Sequence, residues 1–187
     1  MYIAILVTFW AWAALELALL VRDLMRGMGG TSQDRGTRRL LALSYLVSIA
    51  AAVAVGRLLT GSAWRLGPWH QAAGLAFLLA GLTIRIWAVV VLGAAFRTTV
   101  EVDVGQAVVD SGPYRWVRHP AYTGLLLVGA GIGLAVGNWL SLVVLILLPL
   151  PAMLRRIAVE EVILTKVMGA SYTAYQARTK RLLPGLW

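Results

Sequence analysis

The stretch AYTGLLLVGAGIGLAVGNWLSLVVLILLPLPAMLR, residues 121–155, decides how this chain folds. It is apolar almost throughout, and its one charge is Arg155 at the end. A helix crossing the hydrocarbon core takes about 20 residues, so the stretch is too long for one crossing and nearly long enough for two. Gly137-Asn138 sits in its middle, and such a pair punctuates an apolar run as a turn. The reading is a tight hairpin of two spans, 121–137 and 139–155. A single helix through 121–155 is the alternative, which the turn pair and the combined length oppose.

Outward from the hairpin, three more apolar stretches have spanning length: 3–21, 40–59 and 71–93. The chain therefore reads as an all-α integral membrane protein of about five transmembrane helices in one domain, 1–187. Composition agrees. Of 187 residues, 60% are hydrophobic and 13% charged, and the mean hydropathy is +0.79, whereas soluble domains run to about a quarter charged. Cysteine is absent, which excludes disulfides, a thiol nucleophile and a thiolate metal site. His70 and His119 lie far apart in the chain, so no metal site is expected. The net charge of +9 is carried between apolar spans, a distribution suited to anionic lipid headgroups rather than to nucleic acid.

The basic residues also orient the chain. The 22–39 loop carries Arg22, Arg26, Arg35, Arg38 and Arg39; the 96–120 segment carries Arg97, Arg115 and Arg118; the tail carries Arg155, Arg156, Lys166, Arg178, Lys180 and Arg181. These five, three and six residues, 14 of the chain's 17, fall on one side of a five-span layout. The opposite loop, 60–70, has Arg65, with Arg57 just inside the preceding span. The positive-inside rule then places the N-terminus outside and the C-terminus in the cytosol. Met1-Tyr2-Ile3-Ala4 has no positive n-region, so 3–21 reads as a retained span rather than a cleaved signal. The tail, 156–187, reads as cytosolic and helical. Ile157, Ile163, Leu164 and Val167 alternate with Glu160, Glu161 and Lys166 over 156–168, Gly169 stops that helix, and Ser171 is the expected N-cap of a last short one.

Polar chemistry is concentrated in 96–122. The run Gly112-Pro113-Tyr114-Arg115-Trp116-Val117-Arg118-His119-Pro120-Ala121-Tyr122 leads straight into the fourth span. A proline at the first helical position is ordinary. A histidine, two arginines and two tyrosines around it are not needed to start a helix. With Arg156-Ile157-Ala158-Val159-Glu160-Glu161, then Gly169, Tyr172 and Tyr175, this run closely resembles the isoprenylcysteine carboxyl methyltransferases; related phospholipid methyltransferases share the pattern. The resemblance covers roughly residues 74 to 184 and begins with Gly81-Leu82-Thr83-Ile84-Arg85-Ile86-Trp87-Ala88.

The resemblance implies S-adenosylmethionine as cofactor, held between the 96–122 segment and the cytosolic end of the last long helix. Carried over position by position, cofactor contacts fall at Glu101, Gln106, Ala107, Val108, Val109, Tyr114, His119, Pro120, Ala121, Tyr122 and Glu160, and Arg156 faces the acceptor. Family members carry histidine where this chain has Gln106, so contact there falls to backbone or amide. The residue types suit the ligand. Val108 and Val109 can make an apolar adenine slot, a glutamate accepts from a ribose diol or an ammonium, and His119 or a nearby arginine suits a carboxylate. Tyr114 and Tyr122 suit the sulfonium through cation–π attraction. Arg156 and Glu160, four residues apart, share one helix face, either as a surface ion pair or as acceptor and cofactor residues. The implied reaction is methyl transfer to a lipophilic acceptor, archetypally the carboxylate of an isoprenylated cysteine, with membrane lipids around it. A phospholipid amine methyltransferase, an NADPH-dependent sterol-type reductase with a similar RHPxY feature, and a non-catalytic lipid-binding protein remain open.

Glu16 and Arg85 are charges inside spans, about two-thirds of the way along each toward the cytosolic side. Such groups are costly in lipid and are paired or functional. Equal depth predicts that they touch; Arg85 is alternatively a substrate-binding residue. Trp10, Trp12, Trp64 and Trp69 read as interfacial or packing residues.

Overall fold

The computed structural model describes residues 1–25, 36–59, 61, 69–96 and 107–185. Seven α-helices are present among them: α1 Tyr2–Met25, α2 Thr37–Leu58, α3 Trp69–Leu92, α4 Pro120–Val136, α5 Trp139–Leu147, α6 Leu150–Met168 and α7 Ala170–Arg178. The described residues form no strand. One parallel bridge joins Val117 to Lys180.

The protein is an all-helical integral membrane protein. α1, α2, α3 and the combined Trp139–Met168 unit are long and apolar enough to cross a membrane; α4 is apolar but shorter, at 17 residues. The hairpin at its centre is present. Gly137 has φ 74°, the left-handed conformation that glycine adopts without a Cβ clash, and it ends α4. Asn138 then caps α5, its side-chain oxygen accepting from Leu140 N at 3.0 Å and Ser141 N at 3.2 Å. Leu147 does not lead on to a span ending at 155. The helix is interrupted at Leu148 and Pro149 and resumes as α6 to Met168. The prolines Pro149 and Pro151 lack the N–H groups an unbroken helix would use there. The segment read as a separate helix of the tail, 156–168, is thus continuous with the residues before it, as the C-terminal part of α6. Ser171 is not a cap either: Gly169, at φ 57°, begins α7, and Thr173 N bonds its carbonyl at 3.2 Å.

α3 and α4 pack most intimately, and glycine makes that possible. A Cβ on Gly81 would lie 2.7 Å from Gly124 O, and one on Gly124 would lie 2.8 Å from Gly81 O. One crossing lower, Gly74 and Gly131 repeat the arrangement at 2.9 and 2.8 Å. Each helix therefore presents two glycines seven residues apart, and the backbones touch where side chains would hold them apart. The core around this seam takes Leu78, Val128 and Leu125 together with Met153 and Ile157 of α6. Gly124→Ala should lower thermal stability in detergent by about 1–3 kcal/mol, the usual cost of overpacking. Unchanged melting would mean that the seam yields freely.

Candidate functional site

The segment before α4 is fastened on three sides. Tyr114, in the 3-10 turn Gly112–Arg115, donates from its hydroxyl to Ala88 O of α3 at 3.3 Å. Tyr175 of α7 donates to Tyr114 O at 2.6 Å. After α7 the tail doubles back, so that Arg118 N donates to Lys180 O at 2.7 Å and His119 N to Arg181 O at 3.0 Å. Thr123 ties the same strap to α4 by donating to Leu182 O at 2.7 Å.

Two successive glutamates on α6 then divide the work, because neighbouring helical positions point about 100° apart. Glu161 faces the strap, accepting from Arg118 Nε at 2.8 Å and Arg181 Nε at 3.0 Å. Glu160 faces inward, where it accepts from the Tyr122 hydroxyl and lies 3.0 Å from Arg156 Nε. His119 stands between them, with Nδ1 3.5 Å from Glu160 and Nε2 3.3 Å from Glu161. Burial disfavours its charged form, but the two carboxylates outweigh burial and raise its pKa above the ordinary 6.5. A protonated ring donates from both nitrogens, as a bridge between two carboxylates requires. Arg156 is no surface ion pair: it is 3% exposed, and its Nη1 lies 3.5 Å from Thr37 Oγ1 of α2.

One cavity of about 550 Å³ gathers these groups. Of the residues expected from sequence, Ala107, Val108, Val109, Tyr114, His119, Ala121, Tyr122, Glu160, Arg156 and Arg85 all line it. Pro120 is buried at the start of α4 without lining it. Glu101 and Gln106 lie outside the described residues. Arg85 and Glu16 meet as depth predicted, in a two-point pair with Nε to Oε1 at 2.8 Å and Nη2 to Oε2 at 2.9 Å. Arg85 also donates to Ala121 O at 3.3 Å, so it faces the cavity already engaged.

Sequence reasoning missed several lining residues. Of the tryptophans read as interfacial or packing residues, Trp12 is buried and belongs to the cavity wall, Trp10 and Trp69 are exposed, and Trp64 lies outside the described residues. Tyr45 of α2 and Tyr172 of α7 also line it. Tyr172 stood in the quoted pattern, but nothing in the sequence gave it a task. The hydroxyls of Tyr45 and Tyr172 and the Trp12 indole N–H are buried without a hydrogen-bond partner.

Fold and site together define a helical membrane protein that encloses an apolar cavity closed at one end by a buried array of carboxylates and cations. Residues 74–166 match the isoprenylcysteine carboxyl methyltransferase family. Protein-S-isoprenylcysteine O-methyltransferase of Schizosaccharomyces pombe is 30% identical over 117 residues, covering 62% of this chain and 50% of that protein. A probable protein-S-isoprenylcysteine O-methyltransferase of Oryza sativa subsp. indica is 31% identical over 113 residues, 59% of each. The chain thus spans about half the length of the curated relatives it matches. A solved structure of a eukaryotic intramembrane Ras methyltransferase shares the fold, with a TM-score of 0.65 at 23% identity over 78% of this chain and 52% of that one.

Two measurements check the electrostatics. Glu16→Gln should destabilise the detergent-solubilised protein by about 3 kcal/mol, since it leaves the buried Arg85 charge unpaired, and Arg85→Gln by less, since the Glu16 side chain is 29% exposed. The double variant should lose less than the sum; strictly additive losses would show that the pair is not coupled. For His119, a raised folded pKa means a stabilising contribution that is full below about 6.5 and is lost as pH rises through the raised value. The melting advantage of wild type over His119→Gln should therefore shrink with rising pH. A constant advantage would mean that the ring stays neutral.

Proposed function

We propose that this protein transfers a methyl group from S-adenosylmethionine to the carboxylate of a lipophilic acceptor, with an isoprenylated cysteine as the archetype. The observation that carries the reading is the buried Arg156–Glu160–Tyr122–His119 array, which faces one cavity together with Val108, Val109 and an apolar wall. The residues fit the cofactor. The cavity has the volume of a small-molecule site, about 300–1,000 Å³. Val108 and Val109 offer an apolar slot, Tyr114 and Tyr122 offer aromatic faces to a cation, and Glu160 offers an acceptor. When bound, S-adenosylmethionine supplies an electrophilic methyl group on a sulfonium.

The chain's own residues supply position and dryness. A carboxylate is already anionic at neutral pH, so no general base is required, which accords with the lack of any base–nucleophile dyad among the residues assigned here. Arg156 orients the acceptor's oxygen. Tyr122, held by Arg156 and Glu160, fixes the floor on which cofactor and acceptor meet. The enclosing α1, α2 and α7 exclude water, and alignment of the reacting atoms lowers the barrier. A buried guanidinium favours a carboxylate over an amine acceptor, because it favours an anion. In the orientation proposed, the array lies at the cytosolic end of the bundle, with the N-terminus outside and the C-terminus in the cytosol.

Isothermal titration should show S-adenosylhomocysteine binding and no NADPH binding; the reverse would point to a reductase, and binding of neither would point to a lipid-binding protein. His119→Ala and Glu160→Ala should each weaken S-adenosylhomocysteine by about 1–3 kcal/mol. Affinity unchanged in both folded variants would remove the site assignment. Arg156→Lys keeps the charge but loses the fork, so methyl transfer should fall much further than cofactor-analogue affinity. Full activity in Arg156→Lys would exclude a carboxylate acceptor.

A further inference from the structure

The segment before α4 and the strap beside it carry cations of two kinds. Arg118 and Arg181 are matched by Glu161. Arg115 and Lys180 are exposed and have no carboxylate partner among the described residues. The Arg115 guanidinium carbon lies 3.9 Å from the centroid of the Trp116 ring. Trp116 in turn meets Trp87 of α3 edge to face, with centroids 5.9 Å apart and planes at 73°. Gly112 leaves the room for this approach, since a Cβ there would lie 3.1 Å from the Trp87 indole nitrogen. The strap brings Lys180 to the same surface, its backbone nitrogen donating to Trp116 O at 3.4 Å. Both rings stay open to the outside, Trp87 at 41% and Trp116 at 43% exposure. Trp87 is five residues short of Leu92, the end of α3, roughly 8 Å along the axis at the helical rise. Indoles at such a depth meet the lipid headgroups. The stack therefore begins on the apolar flank of a membrane helix and ends in two cations.

We infer that Arg115, Lys180, Trp116 and Trp87 form a headgroup site for an anionic phospholipid, with its phosphate on the cations and its glycerol and upper chains beside the tryptophans. Stacking on Trp116 holds the Arg115 guanidinium in one plane and leaves its N–H edge free for phosphate oxygens, which a planar fork receives in pairs. A zwitterionic headgroup brings a cation of its own to two cations already there, so the charge favours an anionic lipid. Arg155 and Lys166 of α6 are exposed as well, but among the described residues neither stacks on a ring. The site lies apart from the cavity, and the inference is independent of the reaction proposed above. The same segment carries Tyr114 and His119 into the cavity, so a lipid at Arg115 fastens that segment to the bilayer surface.

The test uses the full chain, purified in detergent and titrated with dioleoylphosphatidylglycerol or dioleoylphosphatidylcholine, with bound lipid counted by native mass spectrometry. Wild type should hold a phosphatidylglycerol roughly tenfold or more tightly than a phosphatidylcholine, the effect of two cations at a lipid surface. Arg115→Gln and Lys180→Gln should each cut that ratio about fivefold, and the two together should bring it near one. Arg155→Gln and Lys166→Gln should leave it unchanged. Equal affinity of wild type for the two lipids overturns the inference, whatever the variants do. Equal losses in the α6 variants also overturn it, because the overall surface charge then selects the lipid. A preference that survives in the folded Arg115→Gln, Lys180→Gln double variant overturns it too, because the phosphate is then held elsewhere.

Discussion

The contact on which the rest depends is the one between the backbones of Gly81 and Gly124. Where α3 meets α4 there is no room for a single Cβ on either side. That closeness places Arg85, one turn beyond Gly81, directly against Gly124, where an added Cβ would lie 3.1 Å from the Arg85 backbone nitrogen. It also brings the Arg85 guanidinium to Ala121 O at the mouth of α4. Helices separated by ordinary side chains stand 8–10 Å apart, typically about one side-chain layer more than a glycine seam allows. At that spacing the Arg85–Ala121 bond would be out of reach, and Arg85 would meet Glu16 without an anchor on α4.

Charge is managed within the bundle by closed groups. Each buried ion loses its hydration, and a lone partner restores it only with good geometry and further hydrogen bonds. Glu16 takes both of its oxygens to Arg85. Glu161 takes two arginines and one face of His119; Glu160 takes Arg156, Tyr122 and the other face. Because the two glutamates are consecutive, a single turn of α6 joins the cavity to the strap at 179–182. The tail after α7 is therefore a structural wall of the site: without Arg181 and the carbonyls that hold Arg118 and His119, Glu161 and the ring of His119 would lose their registry.

The spans were legible because apolar length reports crossing directly, and the Glu16–Arg85 pair because a regular helical rise converts sequence position into depth. The hairpin at Gly137-Asn138 was legible from turn chemistry. What the spacing did not show is that 156–168 continues the helix before it: Arg156, Glu160 and Glu161 take contacts from Thr37, Tyr122, His119 and the strap, and α6 runs through them without a break. Of the two readings open for Trp12, interfacial or packing, the structure takes the second: it is buried in the core cluster. Ser171 lost its capping role to Gly169, whose positive φ starts α7 two residues earlier. The cavity-lining positions from Ala107 to Glu160 were legible by motif alone. The wall opposite them, Tyr45 and Trp12, carried no motif at all.

That asymmetry has a physical basis. A buried array of charges has to hold several polar groups at set distances, which forces particular residues into a recognisable order along 107–122 and 156–161. An apolar wall needs only volume and greasy surface, so many sequences serve and none is diagnostic. α2 joins the two walls through Thr37, which meets Arg156, and through Ala52, whose carbonyl accepts from Ser141 at 2.8 Å.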